Sequence, residues 1–242
     1  CFGFGFLGIA LGALGRRFGR AVDIVLYGIL VSIGSKLLLM VIAIKLTGIN
    51  PFGLEEAEIM PVVERIASLY SGLGMSEEAL SLAKEQMRAT LSLIPLIFPA
   101  LLVMAATVDC FLSYIVSAAV LKRLGRETLP GLPEFSRWRF PKSIFWALIA
   151  SLALHLTGAY YPSMAFLQRT ALNLRLLVTA LFFFQGLAVG WSFMQARGLG
   201  RFLRVALTVL VFVVSFLAQI VLVLGIIDMW FDLRSRFRGG RA

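Results

Sequence analysis

From Ala89 to Leu121 the chain runs with one charged side chain, Asp109. That stretch restricts the fold more than any other feature. A bilayer core about 30 Å thick is crossed by about 20 apolar residues in a helix, so a run of this length reads as a membrane span. Further apolar segments cover 1–14, 21–48, 143–158, 172–195 and 205–227, with the run itself at 90–121. The segments are continuous rather than alternating, which selects helices over a barrel. Composition agrees: 60% of the 242 residues are hydrophobic and mean hydropathy is +0.90, above the range of water-soluble domains. The expectation is an all-α polytopic transmembrane helix bundle with about six apolar segments, the first of them truncated, forming one integral membrane domain over 1–242.

Cys1 stands inside an apolar run, which reads as a fragment that has lost its N-terminus. The other cysteine, Cys110, also lies in an apolar segment, so no stapling disulfide is expected. The net charge is +10, yet no nucleic-acid partner is expected. The basic residues sit in short connections: Arg16, Arg17 and Arg20; Lys122, Arg123, Arg126, Arg137, Arg139 and Lys142; Arg197, Arg201 and Arg204. That placement follows the positive-inside rule, with the lipid bilayer and its anionic headgroups as partners. The side of the C-terminal tail, with Arg234, Arg236, Arg238 and Arg241, stays open: counting spans gives one side and counting charge does not decide.

The connection 50–89 is different. It carries Glu55, Glu56, Glu58, Glu64, Glu77, Glu78 and Glu85 against Arg65, Lys84 and Arg88, and is assigned to the outer face. Leu54, Ile59, Val62, Val63, Ile66 and Leu69 recur at helical spacing. Pro61 is expected to kink or divide this first helix, and "SGLG" at 71–74 ends it. Ser76 is a good N-cap for a second helix, with Glu77 and Glu78 in its first turn. The acidic, amphipathic, helical extramembrane loop is either a packed cap or a lid.

Polar residues inside the spans are the candidate site. Ionisable groups there cost about 2.5–3.5 kcal/mol on insertion scales and face the bundle interior. Lys36 and Asp109 lie on antiparallel spans, at depths within ~5 Å at 1.5 Å per residue, so they can pair. Ser113 and Ser117 follow Asp109 at four-residue steps. Ser151 and His155 are four apart; Thr208, Ser215 and Gln219 fall on one stripe; Asn173 and Gln185 mark the fifth span on different faces. These groups either glue helices together or line a polar cavity for a small solute or a proton relay. Gly8 and Gly12 form a small-residue face for close helix approach.

Enzyme chemistry is not legible. One histidine and two separated cysteines do not build a zinc site, and neither metal nor cofactor is expected. P-loop, G-x-S-x-G and H-E-x-x-H patterns do not occur. Asp228 and Asp232 are four apart: they either hold a hard cation at the membrane surface or pair with Arg234 and Arg236, while Trp230 and Phe231 sit in the aromatic belt.

The segments "GLGMSEEAL", "LIPLIFPALL", "LPGLPEFSRWRFPKSIFWAL", "NLRLLVTALFFFQGLAV" and "GIIDMWFDLRSR" follow one another in this order. As an ordered set, from about residue 50 onward, they resemble the YybS-like family of predicted bacterial multi-pass membrane proteins. The resemblance implies a bacterial plasma-membrane location and carries Pro133, Phe135, Trp138, Arg139 and Pro141; Asn173, Gln185 and Gly186; and Gly225, Asp228, Trp230, Asp232 and Arg234. It brings no established activity. If the two segments share a side of the membrane, Arg137 and Arg139 reach Asp228 and Asp232. More distantly, the family resembles the substrate-binding membrane subunits of energy-coupling-factor transporters, which implies a transporter ATPase module as a partner. A solute-binding or transport-related membrane protein therefore leads. A membrane scaffold recruiting cytoplasmic partners through the basic loop 122–142 is the alternative, and a lipid-acting enzyme using Asp228 and Asp232 is the third class.

Overall fold

The computed structural model describes residues 2–48, 56–125, 129–161 and 163–235. Cys1, Leu54, Glu55, Arg126, Arg236, Arg238 and Arg241 lie outside the described residues. Eight α-helices and one short 3-10 turn, with no strand, make up the described chain: α1 Phe2–Arg17, α2 Ala21–Thr47, α3 Glu56–Gly72, α4 Glu77–Arg123, α5 Ser143–Tyr160, α6 Ala165–Ala196, α7 Arg201–Val213 and α8 Ser215–Phe231, with the turn at Phe135–Arg137.

Four helices, α2, α4, α5 and α6, are long and apolar enough to cross a membrane, and their most apolar stretches are only 11–44% buried. Leu30, Leu38, Trp146 and Phe166 are among many large apolar side chains left exposed. In water that surface would drive association; against lipid tails it is the ordinary outer face of a helix bundle. The all-α membrane fold is thus present. Four of the described helices pass as spans, or five if the bent pair is one span, so an exact count of six is not confirmed. The sixth apolar segment is broken at Val214, where α7 and α8 meet at a 106° bend.

The chain forms two compact units, residues 1–130 and 131–242. In the first, Leu7 and Leu11 of α1 are buried with Ile24 and Val25 of α2 and Ala106 and Cys110 of α4. Gly28 sets the spacing: a Cβ there would lie 2.7 Å from Cys110 Sγ and 2.9 Å from a Leu11 methyl. Gly8 and Gly12 do not make the expected close approach, since a Cβ at either meets nothing within 4 Å. The Cys110 thiol donates to the Val25 carbonyl at 3.5 Å, and Tyr114 donates to Pro130 O at 2.5 Å, tying the following loop back onto α4. α3 runs through Pro61 undivided and packs Ile59, Val63 and Ala67 inward. Ser76 caps α4 by accepting from the Ala79 N–H at 3.4 Å. The second amphipathic helix and the span are one 47-residue helix, about 70 Å long at 1.5 Å per residue.

In the second unit α5 and α6 form an antiparallel pair. Gln168 closes their turn by donating to Gly158 O at 3.0 Å, and Ile144, Phe145 and Leu148 pack with Val178, Phe182 and Met229. α7 runs back along α6: Arg204 lies 5.1 Å over the Trp191 ring and Phe212 meets Phe183 at 5.4 Å. After the bend, α8 crosses α6 at two glycines. A Cβ on Gly186 would lie 1.8 Å from Val221 O, and one on Gly225 2.0 Å from Phe182 O. Only glycine allows backbones this close. The bent pair starts beside Trp191 and finishes beside Ser136, whose neighbour Phe135 packs on Trp191 at 6.2 Å. Start and finish therefore lie near one another; a bent pair of this kind is either a broken crossing or a re-entrant loop, and this closeness is what a re-entrant loop gives. The C-terminal end of α8 and the segment 135–139 share a side.

Candidate functional site

Two polar constellations emerge, one in each unit. In the first, Lys36 Nζ forms an ion pair with Asp109 Oδ2, as the matched depths predict, and also lies 3.5 Å from Ser32 Oγ, its hydrogen-bond acceptor one turn back on α2. Ser32 is buried. Lys36 and Asp109 keep 29% and 26% of their side-chain surface open, so the pair is not fully enclosed by the described residues.

The second constellation begins with a local lock. Pro133 and Pro141 restrict the backbone of "PEFSRWRFP", and the Trp138 indole N–H donates to Pro133 O at 3.0 Å. Phe135 packs edge-on against Trp138 at 5.3 Å. The folded segment is then pinned at two backbone positions. The Phe140 N–H donates to Gln185 Oε1 at 3.2 Å, and Ser136 O accepts from Arg234 Nη1 at 2.9 Å. Gln185 Nε2 donates onward to Asp228 Oδ2 at 3.4 Å, and that carboxylate oxygen is 3.1 Å from Arg234 Nη2. A closed chain of polar contacts thus joins α6, α8 and the segment 135–140. Gln185, Asp228 and Arg234 are all buried, a setting in which each polar contact counts for more than at the surface.

Satisfaction of this network is incomplete. Arg234 Nε and Asp228 Oδ1 are buried without a hydrogen-bond partner, and Nη2 faces its carboxylate as an ion pair without hydrogen-bond alignment. Burial pushes the proton affinity of Arg234 down, with Asp228 working in the opposite direction. Arg234 reaches this position because Asp232 ends α8 in the left-handed region, at φ +42°, a conformation Asp tolerates better than most residues. Asp232 also pairs with Arg139. Arg137 turns instead to Glu134, 3.5 Å away. The expectation of arginine–aspartate pairing thus holds for Arg139 with Asp232, and for Arg234 with Asp228, but not for Arg137. Lys142 lies 5.8 Å over the Trp230 ring, and Trp230 meets Phe145 at 5.3 Å. Beside the network lies a cleft of about 420 Å³ lined by Ser136, Arg137, Arg139, Arg234 and Ser235, within the volume range of small-ligand sites.

The remaining candidates are not brought together. His155 is exposed on α5, and Ser151 donates to Leu148 O on its own helix at 2.7 Å. Asn173 donates back to Arg169 O at 2.7 Å. Thr208 bonds Arg204 O on α7, while Ser215 and Gln219 are exposed on α8. The bend at Val214 separates them, so the stripe predicted from their spacing does not form. Among the described residues no group of three or more His, Cys, Asp or Glu is placed to hold a metal ion.

Comparison with known proteins gives the same picture of the chain. Residues 1–229 match the family model described as a predicted membrane protein, DUF2232. "Uncharacterized protein YybS" of Bacillus subtilis (strain 168) is 27% identical over 238 residues, covering 96% of this chain and 73% of that protein. No solved structure matches the chain.

Proposed function

We propose that this chain, which belongs to the DUF2232 family of predicted membrane proteins, is a solute-binding, transport-related protein of a bacterial plasma membrane. The observation that carries the reading is the Lys36–Asp109 pair within two apolar helices. Burying an ion pair costs the desolvation of both charges, so a lysine and an aspartate kept within the spans are candidates for a functional site as well as for helix register. This one is open over about a quarter of each side chain and has the Ser32 hydroxyl beside it. A lysine, a carboxylate and a hydroxyl at one depth offer a donor, an acceptor and a group that is either, the set a small polar solute needs.

The same reading includes a partner: an ATPase module docked on the cytoplasmic side. The scaffold alternative is disfavoured by one feature. The segment 135–140 is bonded down onto α6 and α8 through Ser136 and Phe140, so this part of the basic loop is not a free arm for recruiting partners. The test is extraction of the tagged full-length protein from its own host in mild detergent, with mass spectrometry of the proteins and small molecules that accompany it. A stoichiometric ATPase pair supports the transporter-subunit form, and a retained small solute without ATPases supports a stand-alone carrier. An intact, stable preparation that brings neither would count against the reading.

A further inference from the structure

We infer that the cleft formed by Ser136, Arg137, Arg139, Arg234 and Ser235 binds a phosphate group. This site belongs to unit 2 and stands whether or not the Lys36–Asp109 pair of unit 1 binds a solute. Three guanidinium groups and two hydroxyl-bearing residues line the cleft, and no carboxylate is among its described lining residues. Arginine forks match phosphate oxygens two at a time, while the Ser235 hydroxyl is held by the Asp232 carbonyl at 2.7 Å. The volume of about 420 Å³ leaves room for a phosphate together with the group that carries it.

The floor and the rim play different parts. Arg234 is the floor: it is 2% exposed, is anchored through Nη1 on Ser136 O, and keeps Nε and Nη2 without hydrogen bonds. A guanidinium stays charged at any accessible pH, so the floor is a fixed positive charge with one buried carboxylate beside it. Arg137 and Arg139 are the rim. Their ion pairs with Glu134 and Asp232 are roughly half exposed on both sides, and pairs of that kind hold weakly. A phosphate carries more charge and more acceptor oxygens than a carboxylate, so both rim arginines are able to exchange their acid partners for it.

The position limits the source of the phosphate. The cleft lies beside the C-terminal end of α8, with Trp138 edge-on against Phe135 of the adjoining turn and Trp230 at the α8 terminus. Tryptophans mark the headgroup level of a bilayer. A phosphate reaches this level either on an anionic lipid headgroup or on a water-soluble ester.

The experiment uses the full-length protein in nanodiscs of neutral phosphatidylcholine. One arm titrates inorganic phosphate and follows the melting temperature. The other mixes in phosphatidic acid and phosphatidylglycerol and counts retained lipids by native mass spectrometry. Arg137→Gln together with Arg139→Gln is compared with Arg197→Gln, a basic residue of the same unit that lies over Phe193 outside the cleft. The expected result is binding in at least one arm that the rim double variant weakens tenfold or more, with Arg197→Gln unchanged. A response to phosphate assigns a soluble ligand, and a response to acidic lipid alone assigns the headgroup. No binding in either arm, equal binding by the rim variant, or an equal loss in Arg197→Gln would overturn the inference. Because both rim side chains are exposed, their loss leaves the fold intact, which the melting curve without ligand checks.

Discussion

Replacing Asp228 with Asn tests the buried network at its centre. The Arg234 and Asp228 side chains are 3% and 2% exposed, with Nη2 and Oδ2 3.1 Å apart. Asn preserves shape and still accepts from Gln185, but it removes the buried carboxylate that faces Arg234 among the described residues. Among the described residues, the hydrogen-bond acceptor left to Arg234 is one carbonyl, Ser136 O. Removing one partner of a buried ion pair costs about 3–5 kcal/mol, because the other charge stays buried and uncompensated. For a chain of this size that is a fall in melting temperature of roughly 6–20 °C. Asp228→Leu combined with Arg234→Met removes both charges, and apolar replacement of a whole buried pair is about neutral. The double variant leaves Gln185 Nε2 and Ser136 O without these partners but no lone buried charge, so it should melt below the parent and above Asp228→Asn. The assay is thermal unfolding of detergent-purified protein, followed by tryptophan emission. If Asp228→Asn alone melts with the parent, the pair is not buried as described and the reasoning fails.

Three further outcomes follow from the same geometry. Gly225→Ala puts a methyl 2.0 Å from the Phe182 carbonyl, so α6 and α8 must separate and about 1–3 kcal/mol is lost to overpacking; Gly190→Ala, where a Cβ meets nothing within 4 Å, should be neutral or stabilising in the same melt. Single cysteines at 199 and 235 should react with a membrane-impermeant thiol reagent from the same side, and one at 163 from the other; opposite-side labelling of 199 and 235 would contradict the re-entrant arrangement of α7 and α8. Cysteines replacing Arg139 and Asp232 should be bridged by a short bis-thiol linker in intact membranes, while a cysteine pair at 155 and 232 should not.

Much of the frame was legible because lipid imposes simple rules. The five internal apolar segments coincide with α2, α4, α5, α6 and the α7–α8 pair, since a run that cannot face water must become a helix. The Ser76 cap was readable from its side chain and the acids after it. The Lys36–Asp109 pairing followed from depth along two antiparallel helices. Other features carry no local signature. The bend at Val214 falls in the mostly apolar sequence "TVLVFVVSFL", with no Gly or Pro to mark it. The close crossing at Gly186 and Gly225 lies nearby and is a tertiary event. Gly8 and Gly12 had the right spacing for helix packing, but spacing shows a small face and not which helix meets it; Gly28 holds that place instead. Gln185 and Asp228 belonged to different candidate groups, one within a span and one at its end. What unites them includes the carbonyl of Ser136 and the N–H of Phe140, backbone groups that every residue type supplies alike.

The most direct test of the proposed solute site compares Lys36→Gln, Asp109→Asn and the two together in full-length protein purified from its own host, measuring melting temperature and the small molecules retained. Each single change leaves one charge inside the membrane and should destabilise. The double change removes both charges and should recover most of the melting temperature. The account predicts that this recovered double variant no longer carries the solute that the parent retains. A double variant that is stable and holds the same solute at the same stoichiometry would contradict it and reduce the Lys36–Asp109 pair to a structural tie between α2 and α4.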